Sequence, residues 1–256
     1  MLALPLYDDT PRRRPALTTY GLIGGCVAVF LWQESLGPRA AAYADYAFGM
    51  IPAVLFGHAE LPHPLQQIPP WASLITSMFL HGGWLHLIGN MIYLWLFGRG
   101  VEAALGSLRY LGFYLLCGVA AALTQAGMNP QGTVPMIGAS GAIAGTLGAY
   151  LLLYPHARVM VLIWVIIIVR LIAVPAVVLL GLWFLLQLLS AVTTTSGAPG
   201  VAFWAHVGGF VIGMLLLFLF RRPQFPLLPP RHHGPFGRGS VPSAGRRRRP
   251  AEPGWW

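Results

Sequence analysis

Several apolar runs in this chain approach the roughly twenty residues that a helix needs to cross a bilayer, and nothing else constrains its fold as tightly. Composition points the same way. Of the 256 residues, 56% are hydrophobic and 9% charged, where a soluble domain carries about a quarter charged. The reading is an all-α, multi-pass integral membrane protein with a single bundle over residues 18–220. Residues 1–17, polar and arginine-rich, read as a cytoplasmic tail. Residues 221–256, basic and rich in Pro, Gly and Arg, read as a disordered one.

Six spans are predicted. The first is about residues 18–32, closed by Glu34 and Pro38. The arginines before it and the small residues 40–44 after it also fit a cleaved signal peptide. Residues 37–83 form a long connection, expected to hold short amphipathic pieces lying partly in the membrane interface. The second span is about 84–97, with Arg99, Glu102 and Arg109 in a short turn behind it. The third is about 110–126 and the fourth 139–154. The apolar region 159–192 is too long for one span and is interrupted by Arg170 and Pro175. It divides into an interfacial segment, 156–171, and a fifth span, 172–192. The sixth, 203–220, stops at Arg221, Arg222 and Pro223.

The net charge of +9 comes entirely from arginine, with no lysine. With six spans, fifteen of the sixteen arginines fall on one side and only Arg39 on the other. Positive charge marks the cytoplasmic face, so both termini are expected there. The clusters at 12–14 and 246–249 suit anionic lipid of a bilayer rather than nucleic acid. Cys26 and Cys117 lie within apolar runs, which does not suggest a disulfide framework.

This topology sets four polar groups at one depth. Spans two, four and six all run inward from the outer face. His86 and Asn90, four apart on one helix face, lie in the first turns of span two. Ser140 opens span four, and His206 lies in the first turn of span six. Span four is short, roughly 24 Å at 1.5 Å per residue, against a hydrocarbon core of about 30 Å. A helix that starts below the surface leaves room for a cavity open to water. Gly138, Gly141 and Gly145 lie around Ser140, and His206, Gly209 and Gly213 share one face of span six. Small residues on both faces allow close contact, which would bring His206 to Ser140.

A neutral histidine can take a serine proton as the oxygen attacks a carbonyl, then give it to the leaving amine. The Ser140 backbone N–H, His86 and the Asn90 amide are available to hold the oxyanion. No Asp or Glu falls within a predicted span. The unit would therefore be a Ser-His dyad, with packing to orient His206 in place of an acid. Each group also has a plainer reading. Ser140 is a common interface residue of membrane helices, His86 with Asn90 can bond across helices, and His206 can be a satisfied interior histidine. His81 is expected at the surface, tying the long loop to span two.

At these residues the sequence resembles the rhomboid family of intramembrane serine proteases. The resemblance covers about residues 74–220 and rests on three motifs in order. They are His81-x4-His86-x3-Asn90, Gly138-x-Ser140-Gly141 and Ala205-His206-x2-Gly209-x3-Gly213. The stretch from Phe97 to Glu102, and Trp183 with Gln187, are also family-like. The resemblance implies a six-helix rhomboid-like bundle with a partly membrane-embedded first loop. It implies Ser140 as nucleophile and His206 as general base, with His86, Asn90 and the Ser140 N–H as oxyanion hole. Gly138, Gly141, Gly209 and Gly213 would pack the site, and Trp183 and Phe184 would flank the lateral opening for substrate helices. Some members carry a large aromatic four residues after the serine, packed on the histidine; here that residue is Ala144.

The expected function is cleavage of transmembrane or membrane-adjacent segments of other membrane proteins, without metal or cofactor, in a bacterial plasma (inner) membrane. The alternative is a non-catalytic rhomboid-like binder of membrane helices. A transporter or channel would show repeats or charged residues along a path, and neither is evident in the sequence.

Overall fold

The computed structural model describes residues 2–10, 15–165, 168–193 and 202–229. The arginine clusters at 12–14 and 246–249 and most of the basic C-terminal tail lie outside the described residues. Ten α-helices are described: α1 (Leu17–Ser35), α2 (Gly37–Phe48), α3 (Pro52–Leu55), α4 (Ser73–Thr76), α5 (Trp84–Tyr93), α6 (Arg99–Leu105), α7 (Ser107–Met128), α8 (Ser140–Leu153), α9 (Ala176–Thr193) and α10 (Phe203–Phe220). Among the described residues, α7, α9 and α10 are long and apolar enough to cross a membrane, and α8 is apolar but shorter.

The centre of the molecule is the triple contact of α7, α8 and α10. A Cβ on Gly209 would run into the Gly141 carbonyl oxygen, and one on Gly213 into that of Gly145. On the other side of α8, a Cβ on Gly141 would stand 2.6 Å from the Ala121 Cβ of α7. Glycine is required here for backbone-to-backbone approach, the packing available to helices that gain nothing from leaving water. Large side chains fill the space toward the far end of α8: Tyr110, Tyr114, Tyr150, Phe97 and Phe113 are fully buried.

Four expectations are corrected. The fold is mostly helical, not all-α. Strands β1 (Leu2–Asp8), β2 (Arg158–Val165) and β3 (Ile168–Pro175) form one antiparallel sheet in the order β1-β2-β3. The expected interfacial segment is therefore strand, and the helix expected to begin at residue 172 begins at Ala176. Residues 158–174 are rich in Val and Ile, which favour strands, and a continuous apolar run does not reveal its period. The N-terminal tail supplies β1, anchored where the Tyr150 hydroxyl donates to Asp8 and the Arg158 N–H donates to Asp9 at 2.8 Å.

Helix α5 does not end in a turn. It passes through a π-helical segment, Leu94–Gly98, directly into α6. Glu102 thereby sits on a helix and is buried. Its carboxylate accepts from Thr18 N–H (3.0 Å), Thr19 N–H (2.8 Å), the Thr19 hydroxyl (2.7 Å) and the Ser107 hydroxyl (2.6 Å). It thus caps α1 and ties it to the start of α7, at a helix N-terminus where negative charge is favoured.

The connection between α1 and α5 carries α2, α3 and α4 with two short 3₁₀ turns. His81 is buried, not at the surface. Its N–H donates to the Gln33 side-chain oxygen (3.0 Å), and its Nδ1 lies 3.1 Å from the Phe79 carbonyl oxygen.

Candidate active site

Ser140 is the first residue of α8, so its N–H is one of the four that have no partner within the helix. Its side chain is half-buried. The preceding turn is set by Gly138 at φ +123°, whose N–H donates to the Ser77 carbonyl at 2.8 Å. Only glycine adopts this conformation without strain. Two residues earlier in that connection, Met136 pairs with Met50 as an isolated antiparallel bridge, fastening it to the long first connection.

His206 lies in the first turn of α10 and is buried. Its Nε2 is 2.8 Å from the Ser140 Oγ. The glycine contact between α8 and α10 sets this distance, because the two backbones touch at Gly141 and Gly209, beside the pair, and again a turn further on at Gly145 and Gly213. The other ring nitrogen, Nδ1, is 2.7 Å from the Gln187 Oε1 of α9. The Trp183 ring, one turn earlier on α9, lies 5.9 Å from the His206 ring at an interplanar angle of 36°.

His86 reaches the same place from α5. The Gly82 N–H donates to its Nδ1 at 3.3 Å, so the neutral ring carries its proton on Nε2. A Cβ on Gly138 would stand 2.8 Å from His86 Cε1 and Nε2 and 3.8 Å from the Ser140 Oγ. The imidazole thus lies over the turn that leads into Ser140. The Asn90 amide donates to the His86 carbonyl of its own helix at 3.0 Å, leaving its second N–H. A cavity of about 790 Å³, lined by Ser140, His206, His86, Gly138, Gln125 and Trp204, opens onto this group.

The structure thus brings together Ser140, His206, His86 and Gly138. Trp183 and Phe184 both turn toward α10. Phe184 stacks on Phe210 at 4.6 Å, and Trp183 covers the imidazole. Ala144 is buried within α8, so the aromatic neighbour of His206 comes from α9. Gln187, to which the sequence reading attaches no role, is the group on Nδ1. Its signal was an amide four residues after Trp183 in an apolar helix. Chemically, a hydroxyl donating to a neutral imidazole, beside an N–H at a helix start, can be activated for attack on a carbonyl.

Residues 69–223 match the Rhomboid domain, and the chain belongs to the rhomboid family. It is 40% identical over 133 residues to the "Rhomboid protease GluP" of Bacillus subtilis, covering 52% of this chain and 24% of that protein. It is 33% identical over 163 residues to "RHOMBOID-like protein 5" of Arabidopsis thaliana, covering 63% and 48%. It is 29% identical over 230 residues to "Rhomboid protein 1, mitochondrial" of Saccharomyces cerevisiae, covering 82% and 56%. The chain therefore spans between a quarter and just over half of the length of these relatives. Family membership and apolar helices make it an integral membrane protein of a family that includes proteases.

Proposed function

We propose that this chain is an intramembrane serine endopeptidase that cleaves transmembrane or membrane-adjacent segments of other membrane proteins. The observation that carries the reading is the 2.8 Å contact between Ser140 Oγ and His206 Nε2, two residues that line one cavity. In this reading Ser140 Oγ attacks the substrate carbonyl carbon as its proton passes to His206 Nε2. The oxyanion is held by the Ser140 N–H, His86 Nε2–H and the free Asn90 amide N–H. His206 returns the proton to the leaving nitrogen as the C–N bond breaks. Water from the cavity then attacks the acyl carbon, gives its proton to His206, and Ser140 leaves with that proton.

The chain crosses the membrane six times, with α1 and the α5–α6 run as the two further long helices and both termini cytoplasmic. Substrate helices arrive from the lipid beside α9, where Trp183 and Phe184 form the flank. Anionic lipid meets the arginine-rich ends. A bacterial plasma membrane fits the protease relative named for Bacillus subtilis.

The test is incubation of wild type and Ser140→Ala with a model single-span substrate in liposomes, with product mass read out. Cleavage by wild type alone, together with labelling of wild type alone by a fluorophosphonate, supports the protease. Full cleavage by Ser140→Ala overturns it. Substrate binding by a wild type that neither cleaves nor reacts with the probe favours a non-catalytic binder of membrane helices.

A further inference from the structure

The imidazole of His206 is bonded at both nitrogens, and the two partners stand on different helices. Ser140 on α8 meets Nε2 and Gln187 on α9 meets Nδ1. A neutral imidazole has one donor and one acceptor nitrogen. For Nε2 to accept the serine proton, the ring proton must be on Nδ1, and a buried Nδ1–H needs an acceptor. No described carboxylate is bonded to this nitrogen; the Gln187 side-chain oxygen is, at 2.7 Å.

We propose that Gln187 is the positioning residue of the Ser140–His206 pair: its Oε1 holds the His206 proton on Nδ1 and keeps Nε2 directed at Ser140. The inference rests on the protease reading above. The composition of α9 supports it. Ala176–Thr193 is apolar throughout its middle, and Gln187 is the one amide in it. An amide in a membrane helix is costly unless bonded, and this one spends its oxygen on the histidine. Trp183 lies four residues before Gln187, so the two share a helix face. One covers the imidazole ring and the other caps its nitrogen.

The arrangement makes up for what α8 lacks. Ala144, four residues after Ser140, offers only a methyl group to a ring on the neighbouring helix. The aromatic ring and the acceptor beside His206 both come from α9, the most peripheral of the long apolar helices. Only 17% of its most apolar stretch is buried, against 39% for α7 and for α10. The pair is completed from a third helix, which packs chiefly on α10.

Two substitutions separate this role from simple packing. Gln187→Leu keeps the volume and removes both the acceptor and the N–H groups. Gln187→Glu keeps an acceptor oxygen at the same reach and removes the N–H groups. Full-length wild type and both variants would be ¹⁵N-labelled at histidine, with His206→Ala to assign the signal, and the ring nitrogens read at neutral pH. The expected result is a protonated Nδ1 and a bare Nε2 in wild type and Gln187→Glu, and loss of that state in Gln187→Leu. With the model substrate, kcat of Gln187→Leu falls about tenfold to a hundredfold with KM unchanged, since a wrongly held tautomer cannot act as base. Gln187→Glu stays within about threefold of wild type. A His206 proton on Nε2 in wild type, or a Gln187→Leu protein with unchanged tautomer and kcat, overturns the proposal. If Gln187→Leu does not fold, wild type and Gln187→Glu still report the tautomer. A wild type inert to substrate and fluorophosphonate would sink the protease reading alone, because the tautomer is read without turnover.

Discussion

Gly138 and the imidazole of His86 occupy space that leaves no room for a methyl group between them: a Cβ on Gly138 would stand 2.8 Å from both Cε1 and Nε2. The backbone there has φ +123°, so a side chain would strain the turn as well as displace the ring. Gly138→Ala should lower kcat about a hundredfold by moving an oxyanion donor, with KM little changed and the helical content intact. Steady-state kinetics beside circular dichroism would check this; an unimpaired kcat would remove His86 from the oxyanion site.

The pair of Ser140 and His206 makes a pH prediction. Protonated His206 cannot accept the serine proton, so the rate should rise with pH along an acid limb that follows the deprotonation of His206. The measurement is single-turnover cleavage, so that chemistry is read directly. An acid limb that does not coincide with the His206 titration read by ¹⁵N NMR in the same sample would count against His206 as base.

Glu102 predicts a stability defect remote from the chemistry. Its carboxylate satisfies four donors on α1 and α7. Glu102→Ala strands them in a buried site and should lower unfolding free energy by about 3 kcal/mol. Glu102→Gln, which keeps one acceptor oxygen, should cost about half as much. Equilibrium denaturation in mixed detergent would rank them, and equal stability of all three would refute the clamp.

The glycines of α10 offer a matched pair with α1. Gly213→Ala drives a methyl group into the Gly145 backbone, whereas Gly24→Ala meets nothing within 4 Å. The first should cost about 1–3 kcal/mol and reduce activity, because α10 carries His206 away from α8. The second should be neutral or slightly stabilising. Thermal unfolding with activity at a fixed folded fraction separates the two.

His81 links stability to acid. It lies in the connection ahead of α5, and burial, with the neighbouring His86 adding to it, lowers its pKa from the usual 6.5 to about 4. The folded protein holds it neutral while the unfolded chain takes up a proton below about 6.5, so its contribution is present above that value. It is lost progressively as pH falls toward about 4. The melting temperature should drop across this window, and His81→Gln should flatten the drop. Parallel slopes for the two proteins would assign the acid sensitivity elsewhere.

What the sequence determined alone was local. Apolar length marked the helices, and spacings of four, and of three and seven, put His86 with Asn90, and His206 with Gly209 and Gly213, on single helix faces. Neither needs knowledge of a neighbour. Tertiary structure decided everything that depends on which helix meets which. It made Gln187 of α9, not packing alone, the group on His206 Nδ1, and it brought Glu102 from an expected turn into a buried cap. It also paired strands Arg158–Val165 and Ile168–Pro175 and joined the N-terminal strand to them. The physical reason is the same in each case. Hydropathy and periodicity describe one element's own surface, whereas a buried amide, carboxylate or strand edge is explained only by the partner that satisfies it, and that partner lies up to 162 residues away along the chain, as Trp164 does from its strand partner Leu2.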